Sequence, residues 1–301
     1  VITLDTTGVS DTPGNAGVGT TDSNNYAIDT VRPTATIVVA DTSLIIGETS
    51  LVTITFSEAV TGFSNADLTI ASGTLSAVSS ADGGITWTAT LTPTASISDA
   101  TNVITLQNDG VLNGAGNAGV GTTDSNNYAV DTVRPTATIL VADTSLIIGE
   151  TSLVTITFNE AVTGFSNADL TIASGTLSAV ATSDGGITWT ATFTPTASIS
   201  DATNVITLDT TGVSDTPGNA GVGTTDSNNY AVDTVRPTAT IVVADSSLII
   251  GETSLVTITF SEAVAGFSNA DLTIAGGTLT AVSSADGGIT WTATFTPTAS
   301  I

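Results

Sequence analysis

The sequence predicts an all-β chain, a linear array of two-sheet sandwich units of about seven strands each. Three observations predict it. The segment Asp-Thr-Val-Arg-Pro-Thr-Ala-Thr begins at Asp29, Asp131 and Asp233, so the chain repeats every 102 residues. That period is too long for a solenoid turn or propeller blade and suits a whole small domain. Within each period, short β-branched runs alternate with turn residues, and helical periodicity is absent. Finally, 41% of residues are hydrophobic, enough to build cores despite a net charge of −25 that would otherwise suggest disorder.

Within residues 29–130 the strands are expected at Thr34–Ala40, Leu51–Phe56, Asp67–Ala71, Thr74–Ser79, Ile85–Thr92, Asn102–Leu106 and Asn126–Val130. Alternating apolar positions or β-branched runs mark each one. Turn residues separate them: Ile46-Gly47-Glu48, Thr61-Gly62, Ser72-Gly73, Asp82-Gly83-Gly84 and the run from Gly114 to Gly121. Proline and glycine punctuation of this kind ends strands. Seven short strands in about a hundred residues describe an Ig-like β-sandwich. Phe56, Phe63, Trp87, Leu91 and the Tyr26-type positions are expected in the core. With no cysteine, packing alone must hold the two sheets together.

The domain organisation follows from the period. Residues 29–130 and 131–232 are complete repeats, 1–28 correspond to the last strands of a repeat, and 233–301 to its first strands. The two complete copies differ at thirteen positions, seven of them between 107 and 115. The chain is five residues short of three periods, and Val1 is not a natural start. An arbitrary cut from a longer array is the expectation. The alternative is that the C-terminal piece of one chain is completed by the N-terminal strands of the next.

Charge and missing residue types exclude several functions. With 28 acidic and 3 basic residues, the surface repels nucleic acid and anionic membranes. No stretch reaches the roughly 20 apolar residues of a membrane span. Cysteine, histidine and lysine are absent, so the usual zinc or copper sites cannot form, and a serine nucleophile has neither histidine nor lysine as its base. An enzyme is not expected. A carboxylate pair such as Glu58 and Asp67 would suit a glycosidase, but it recurs as Glu160/Asp169 and Glu262/Asp271, and a triplicated cleft makes little sense. What remains for ligand chemistry is oxygen, which suits calcium or magnesium.

Strand order assigns the acids to poles. In a sandwich of this topology the loops after the second, fourth and sixth strands lie near the incoming linker, and those after the first and fifth share the far pole. At the junction between 29–130 and 131–232, the first unit then offers Asp41, Glu48 and Asp99, and the linker offers Asp131. The second unit offers Glu160, Asn167, Asp169, Asp184, Asp215, Asn219 and Asp226. By the repeat, the same positions recur as Asp29, Asp233, Glu58, Glu262, Asp67, Asp201, Asp11 and Asn15. Crowded carboxylates repel unless splayed into water or neutralised. Junctional or loop calcium that locks neighbouring repeats is the hypothesis, and a solvated acidic surface is the alternative. No EF-hand loop occurs. In the middle copy the loop reads Asn113-Gly-Ala-Gly-Asn117 where its neighbours read Asp11-Thr-Pro-Gly-Asn15 and Asp215-Thr-Pro-Gly-Asn219, so a site built on that aspartate should be weaker there. The three cations, Arg32, Arg134 and Arg236, each precede a proline in the linker and are expected to form local salt bridges.

Taken together, Asp-Thr-Val-Arg-Pro-Thr, Gly-Glu-Thr-Ser-Leu-Val-Thr-Ile-Thr-Phe-Ser-Glu-Ala-Val, Asp-Gly-Gly-Ile-Thr-Trp-Thr-Ala-Thr and Asp-Thr-Pro-Gly-Asn-Ala-Gly resemble the bacterial Ig-like domains of giant secreted or surface adhesins. The resemblance covers every repeat. It implies calcium-bearing extender domains on the bacterial cell surface, often type I secreted and associated with biofilm or host adhesion. It places junctional calcium on Asp29, Asp131 and Asp233 and on Asp11 and Asp215. The expected function is a structural stalk whose partners are neighbouring repeats and other copies in a fibre. A filament assembled by strand exchange and a multivalent glycan-binding module are the alternatives.

Overall fold

The computed structural model of the chain describes residues 1–299. Residues 1–28 form a hairpin of β1 (Thr3–Asp5) and β2 (Thr20–Asp22). The unit that follows contains β3 (Ala35–Val39), β4 (Ser43–Leu44), β5 (Ser50–Phe56), β6 (Val60–Thr61), β7 (Leu68–Ile70), β8 (Gly73–Leu75), β9 (Ser79–Ser80) and β10 (Thr86–Pro93). It continues with β11 (Ser98–Asn102), β12 (Ile104–Gln107), β13 (Leu112–Asn113), β14 (Thr122–Asp124) and β15 (Tyr128–Asp131). The chain is all-β, with short 3-10 turns between strands.

One sheet runs β3-β5-β10-β8, with β9 also on β10. The facing layer is made of β11-β15-β4 and β14-β12-β7. A bulge between Asp99 and Asn102 interrupts the pairing of β11 with β15, and Val103 alone separates β11 from β12. Almost all pairing is antiparallel, but β4 runs parallel to β15 (Ser43 beside Ala129, Leu44 beside Val130).

Alternation along β5 shows why the sequence makes a sandwich. Ser50, Val52, Ile54 and Phe56 point inward and are buried, while Leu51, Thr53 and Thr55 point outward. Ile37, Val39, Leu44, Leu91, Ile104, Leu106, Tyr128 and Val130 complete the core. Each fully buried aliphatic side chain is worth about 1.5–3 kcal/mol. The outward face of this sheet carries Thr36, Thr53, Thr55, Thr88 and Thr90, aligned by the register of β3, β5 and β10. Threonine suits such a half-exposed pleat. Aromatic contacts extend the core, with Phe63 edge-on to both Phe56 and Trp87 at 5.2 Å. Trp87 is only half-buried, and its indole N–H donates to the Gly84 carbonyl.

The expected strand Thr74–Ser79 is interrupted. Asn65 reaches into it, donating to the Ser76 carbonyl (2.9 Å) and accepting from the Val78 amide (2.9 Å). Those side-chain bonds replace ladder bonds and divide the segment into β8 and β9. Four further short strands, β4, β6, β13 and β14, lie outside the segments expected as strands. Each is two or three residues long, too short for periodicity to register.

The second unit repeats this arrangement 102 positions on, from Ala137–Val141 to Tyr230–Asp233. Leu91 is replaced there by Phe193, which meets Tyr230 edge-on at 5.0 Å. Residues 233–299 form only the first sheet, Ala239–Val243 with Ser254–Phe260, Thr290–Pro297 and Gly277–Leu279. Ile241 and Val243 are exposed there, whereas their counterparts Ile37 and Val39 are buried. Tyr26, likewise, is exposed in the N-terminal hairpin segment while Tyr128 and Tyr230 are fully buried.

Candidate metal centre at the unit junction

Three elements converge where the second unit begins. Asp131 ends β15, Glu160 sits in the turn after Ser152–Phe158, and Asp215 lies on the short strand Ser214–Asp215, paired with Val162–Thr163. One ligand oxygen from each of the three carboxylates lies within 4.8 Å of the others, and Asp215 is buried. Among the described residues, this is the only such acidic cluster.

Backbone amides orient two of the three carboxylates. Asp215 Oδ1 accepts from the amides of Gly218 and Asn219, both at 2.7 Å. Asp131 Oδ1 accepts from Val133 N at 3.1 Å, and its Oδ2 accepts from the Ser98 hydroxyl of the preceding unit. Glu160 is held only by the Asn159 side chain at 3.2 Å. Burial, followed by the charges of Asp215 and Asp131, pushes the Glu160 carboxyl above its ordinary value. Such a carboxylate favours a proton or a cation beside it.

Asn219 joins the cluster to the preceding unit. Its Nδ2 donates to the Asp131 carbonyl (2.9 Å) and to Asp215 Oδ2 (2.8 Å), and its Oδ1 accepts from Ile46 N of the first unit (2.8 Å). The sequence offered Asn219 as an oxygen ligand, and nothing in it pointed to Ile46.

The equivalent position in the first unit is chemically different. Asp29 and Glu58 are present, but the third carboxylate is replaced by Asn113, 2% exposed. Its Nδ2 donates to Asp29 Oδ2 (3.2 Å), Glu58 Oε2 (3.2 Å) and the Val31 carbonyl (3.0 Å). Glu58 Oε1 remains buried without a partner, as does Glu262 Oε1 in the third copy. A buried, unpartnered carboxylate oxygen is costly. At Asp131, Glu160 and Asp215 the oxygen-only donor set fits a hard divalent ion.

The remaining candidates lie elsewhere. Asp67 and Asp169 accept from the Ser64 and Ser166 amides at 2.8 Å, each closing a capping box on a 3-10 turn. Asp271 does the same in the third copy. Asp99 and Asp201 accept from the amides of Thr101 and Thr203. Asp41 and Glu48 likewise hold local turns through Ser43 N and Ile45 N. Asp11 is bonded to Asn15 and is exposed. Asp233 accepts from Val235 N. Most acids therefore tie down their own turns, a role that asparagine or serine also fills.

The arginines correct one expectation. Arg32 donates to the Ala118 carbonyl at 2.7 Å and Arg134 to the Ala220 carbonyl at 2.6 Å. The partner is a neutral oxygen of the loop within the same unit, where a salt bridge was expected. Beside Arg134, a cleft of about 640 Å³ lined by Ile46, Pro93, Val133 and Asn159 lies between the first two units.

The family profile described as bacterial Ig-like domain matches residues 29–130, 131–232 and 233–301. No curated protein matches the chain in sequence. Among solved structures, FdeC, an adhesin of Escherichia coli, aligns with 14% identity over 87% of this chain and 88% of its own, at a TM-score of 0.32. The tandem Ig repeats of Dlar align with 14% identity over 66% of this chain and 96% of theirs, at a TM-score of 0.21. Among the described residues, no helix is long and apolar enough to cross a membrane.

Proposed function

The chain belongs to the bacterial Ig-like domain family, and from that premise we propose that it is an extender segment of an extracellular bacterial adhesin or surface fibre. Its repeats set reach, each unit adding about 40 Å from strands of about seven residues plus loops. Calcium at the Asp131–Glu160–Asp215 cluster stiffens the junction between 29–130 and 131–232.

The observation that carries this reading is the position of the cluster. It sits on the linker itself, and Asn219 connects it directly to Ile46 of the neighbouring unit. An ion held there by Asp131, Glu160 and Asp215 would neutralise their repulsion and fix the linker against both the second-unit loops and the first unit. Calcium accepts six to eight oxygen ligands in flexible geometry, and extracellular modules bind it at about 10⁻⁴–10⁻³ M. A site of this kind fills outside the cell, where the ion is abundant.

Calorimetric titration of calcium into the chelated chain, paired with small-angle X-ray scattering, tests the proposal. One bound ion per chain and a longer, narrower distance distribution with calcium are expected. Absence of binding heat, or an unchanged scattering profile despite binding, rejects the stiffening. Surface labelling of intact cells with antibody against the repeats tests the location; staining only after permeabilisation rejects it.

A further inference from the structure

We propose that the Asn113 carboxamide does for the first unit what a bound cation does for the second, so that one chain carries a calcium-independent junction next to a calcium-dependent one. This rests on the calcium reading above and extends it to how the site is regulated along the fibre.

The amide orientation is fixed from the loop side. Asn113 Oδ1 accepts from Ala115 N (3.1 Å) and Asn117 N (2.8 Å). Two donors on one atom identify it as the oxygen, so the NH₂ must face the other way. What it faces is Asp29, Glu58 and the Val31 carbonyl, all within 3.2 Å. Two N–H bonds shared among three oxygens gather the linker, the turn after β5 and the β13 loop around one donor. In the second unit the matching side chain is a third carboxylate, Asp215, and no N–H reaches in from it. There one oxygen from each of three carboxylates lies within 4.8 Å of the others, and their mutual repulsion calls for a positive partner from outside.

The substitution also removes one negative charge. Three carboxylates become two, which reduces repulsion in a partly buried site. The change is local and coordinated, because seven of the differences between the copies fall at 107–115. Among them, Ala115 stands where the second unit has Pro217. Proline has no N–H, so Ala115 supplies the amide that pins Asn113 Oδ1. In the second unit Gly218 N bonds Asp215 Oδ1 instead.

Hydrogen–deuterium exchange on the full chain, in calcium and in chelator, tests this junction by junction. In the wild-type chain, chelation should accelerate exchange in 131–135 and 213–221 by about 100-fold when the calcium used is about 100 times Kd. Segments 29–33 and 111–119 should change less than about twofold, since no ion is linked to their opening. Asp215→Asn should leave the second junction protected and indifferent to calcium. Asn113→Asp should make the first junction open in chelator and close with calcium. If Asn113→Asp does not fold, Asp215→Asn alone decides. A first junction that responds to calcium like the second overturns the inference while leaving the calcium reading intact. If neither wild-type junction responds, the calcium reading fails. The amide's role is then decided in chelator: 29–33 protected in wild type and opened by Asn113→Asp upholds it, and equal exchange in both overturns it.

Discussion

Replacing Asn219 by alanine should uncouple the two complete units without unfolding either. The side chain makes three bonds, to Ile46 N, the Asp131 carbonyl and Asp215 Oδ2, at 2.8, 2.9 and 2.8 Å. Two are neutral, worth about 1 kcal/mol each, and the one to the carboxylate is worth about 1.5–3 kcal/mol. The second unit itself should lose about 2.5–4 kcal/mol from the two bonds to Asp131 and Asp215, less than the roughly 5–15 kcal/mol that a domain of this size commands. The loss is not shared equally. Only the Ile46 bond crosses the junction, so about 1 kcal/mol, roughly fivefold in exchange rate, should appear at the Ile46 amide. Peptide-resolved hydrogen exchange reads both effects, with Ile148, the equivalent position one unit on and 41% exposed, as the fast reference. An Ile46 amide that keeps its protection while 215–221 loses its own would refute the claim that Asn219 bridges the units.

Three further outcomes follow from the fold. Asp82, Asp184 and Asp286 each accept backbone amides of their own turns, which hold their carboxyls down at about 2. Depressed acids stabilise the folded state above the unfolded pKa near 4, so this contribution should fade as pH falls from about 4 to about 2; a flat melting temperature across that window contradicts it. Glu160, shifted upward, has the opposite sign: its charged form disfavours folding, and the contribution improves as pH falls through its raised pKa. Gly186 has φ +102, and a Cβ there would lie 2.7 Å from the Val162 carbonyl. Gly186→Ala should cost roughly 2–3 kcal/mol in denaturant titration, against about 1 for Gly185→Ala, where the space is open. Phe193→Leu, which restores the residue of the first unit, should cost about 1 kcal/mol through loss of the edge-on contact with Tyr230; no change in the midpoint would show that contact to be inert.

The strands that bury alternate residues were legible because Val52, Ile54 and Phe56 write a period of two into the sequence. Topology then carried Asp131, Glu160 and Asp215 to one pole, and they do meet there. What composition could not tell apart was a carboxylate that faces its neighbours from one that caps its own turn. Asp67, Asp99 and Asp201 look like ligands by count, yet each accepts a nearby amide. Short elements such as β4 depend on one buried residue, Leu44, and leave no pattern. Asparagine hid the most. Asn126 bonds both the N–H and the C=O of Val39, Asn65 splits a strand, and Asn219 spans a junction, all contacts between residues distant in sequence.

The parallel pairing of β4 with β15 has a mechanical consequence. β4 lies near the point where the chain enters a unit and β15 at the point where it leaves, so traction on the two ends slides the strands lengthwise past one another. Their hydrogen bonds are then loaded in shear and must fail together, whereas a hairpin peeled from its tip breaks them singly. The first unit opposes traction with two paired positions, Ser43–Ala129 and Leu44–Val130. The second has three, extending to Ile147–Asp233. The second unit therefore sets one more paired position against lengthwise sliding than the first.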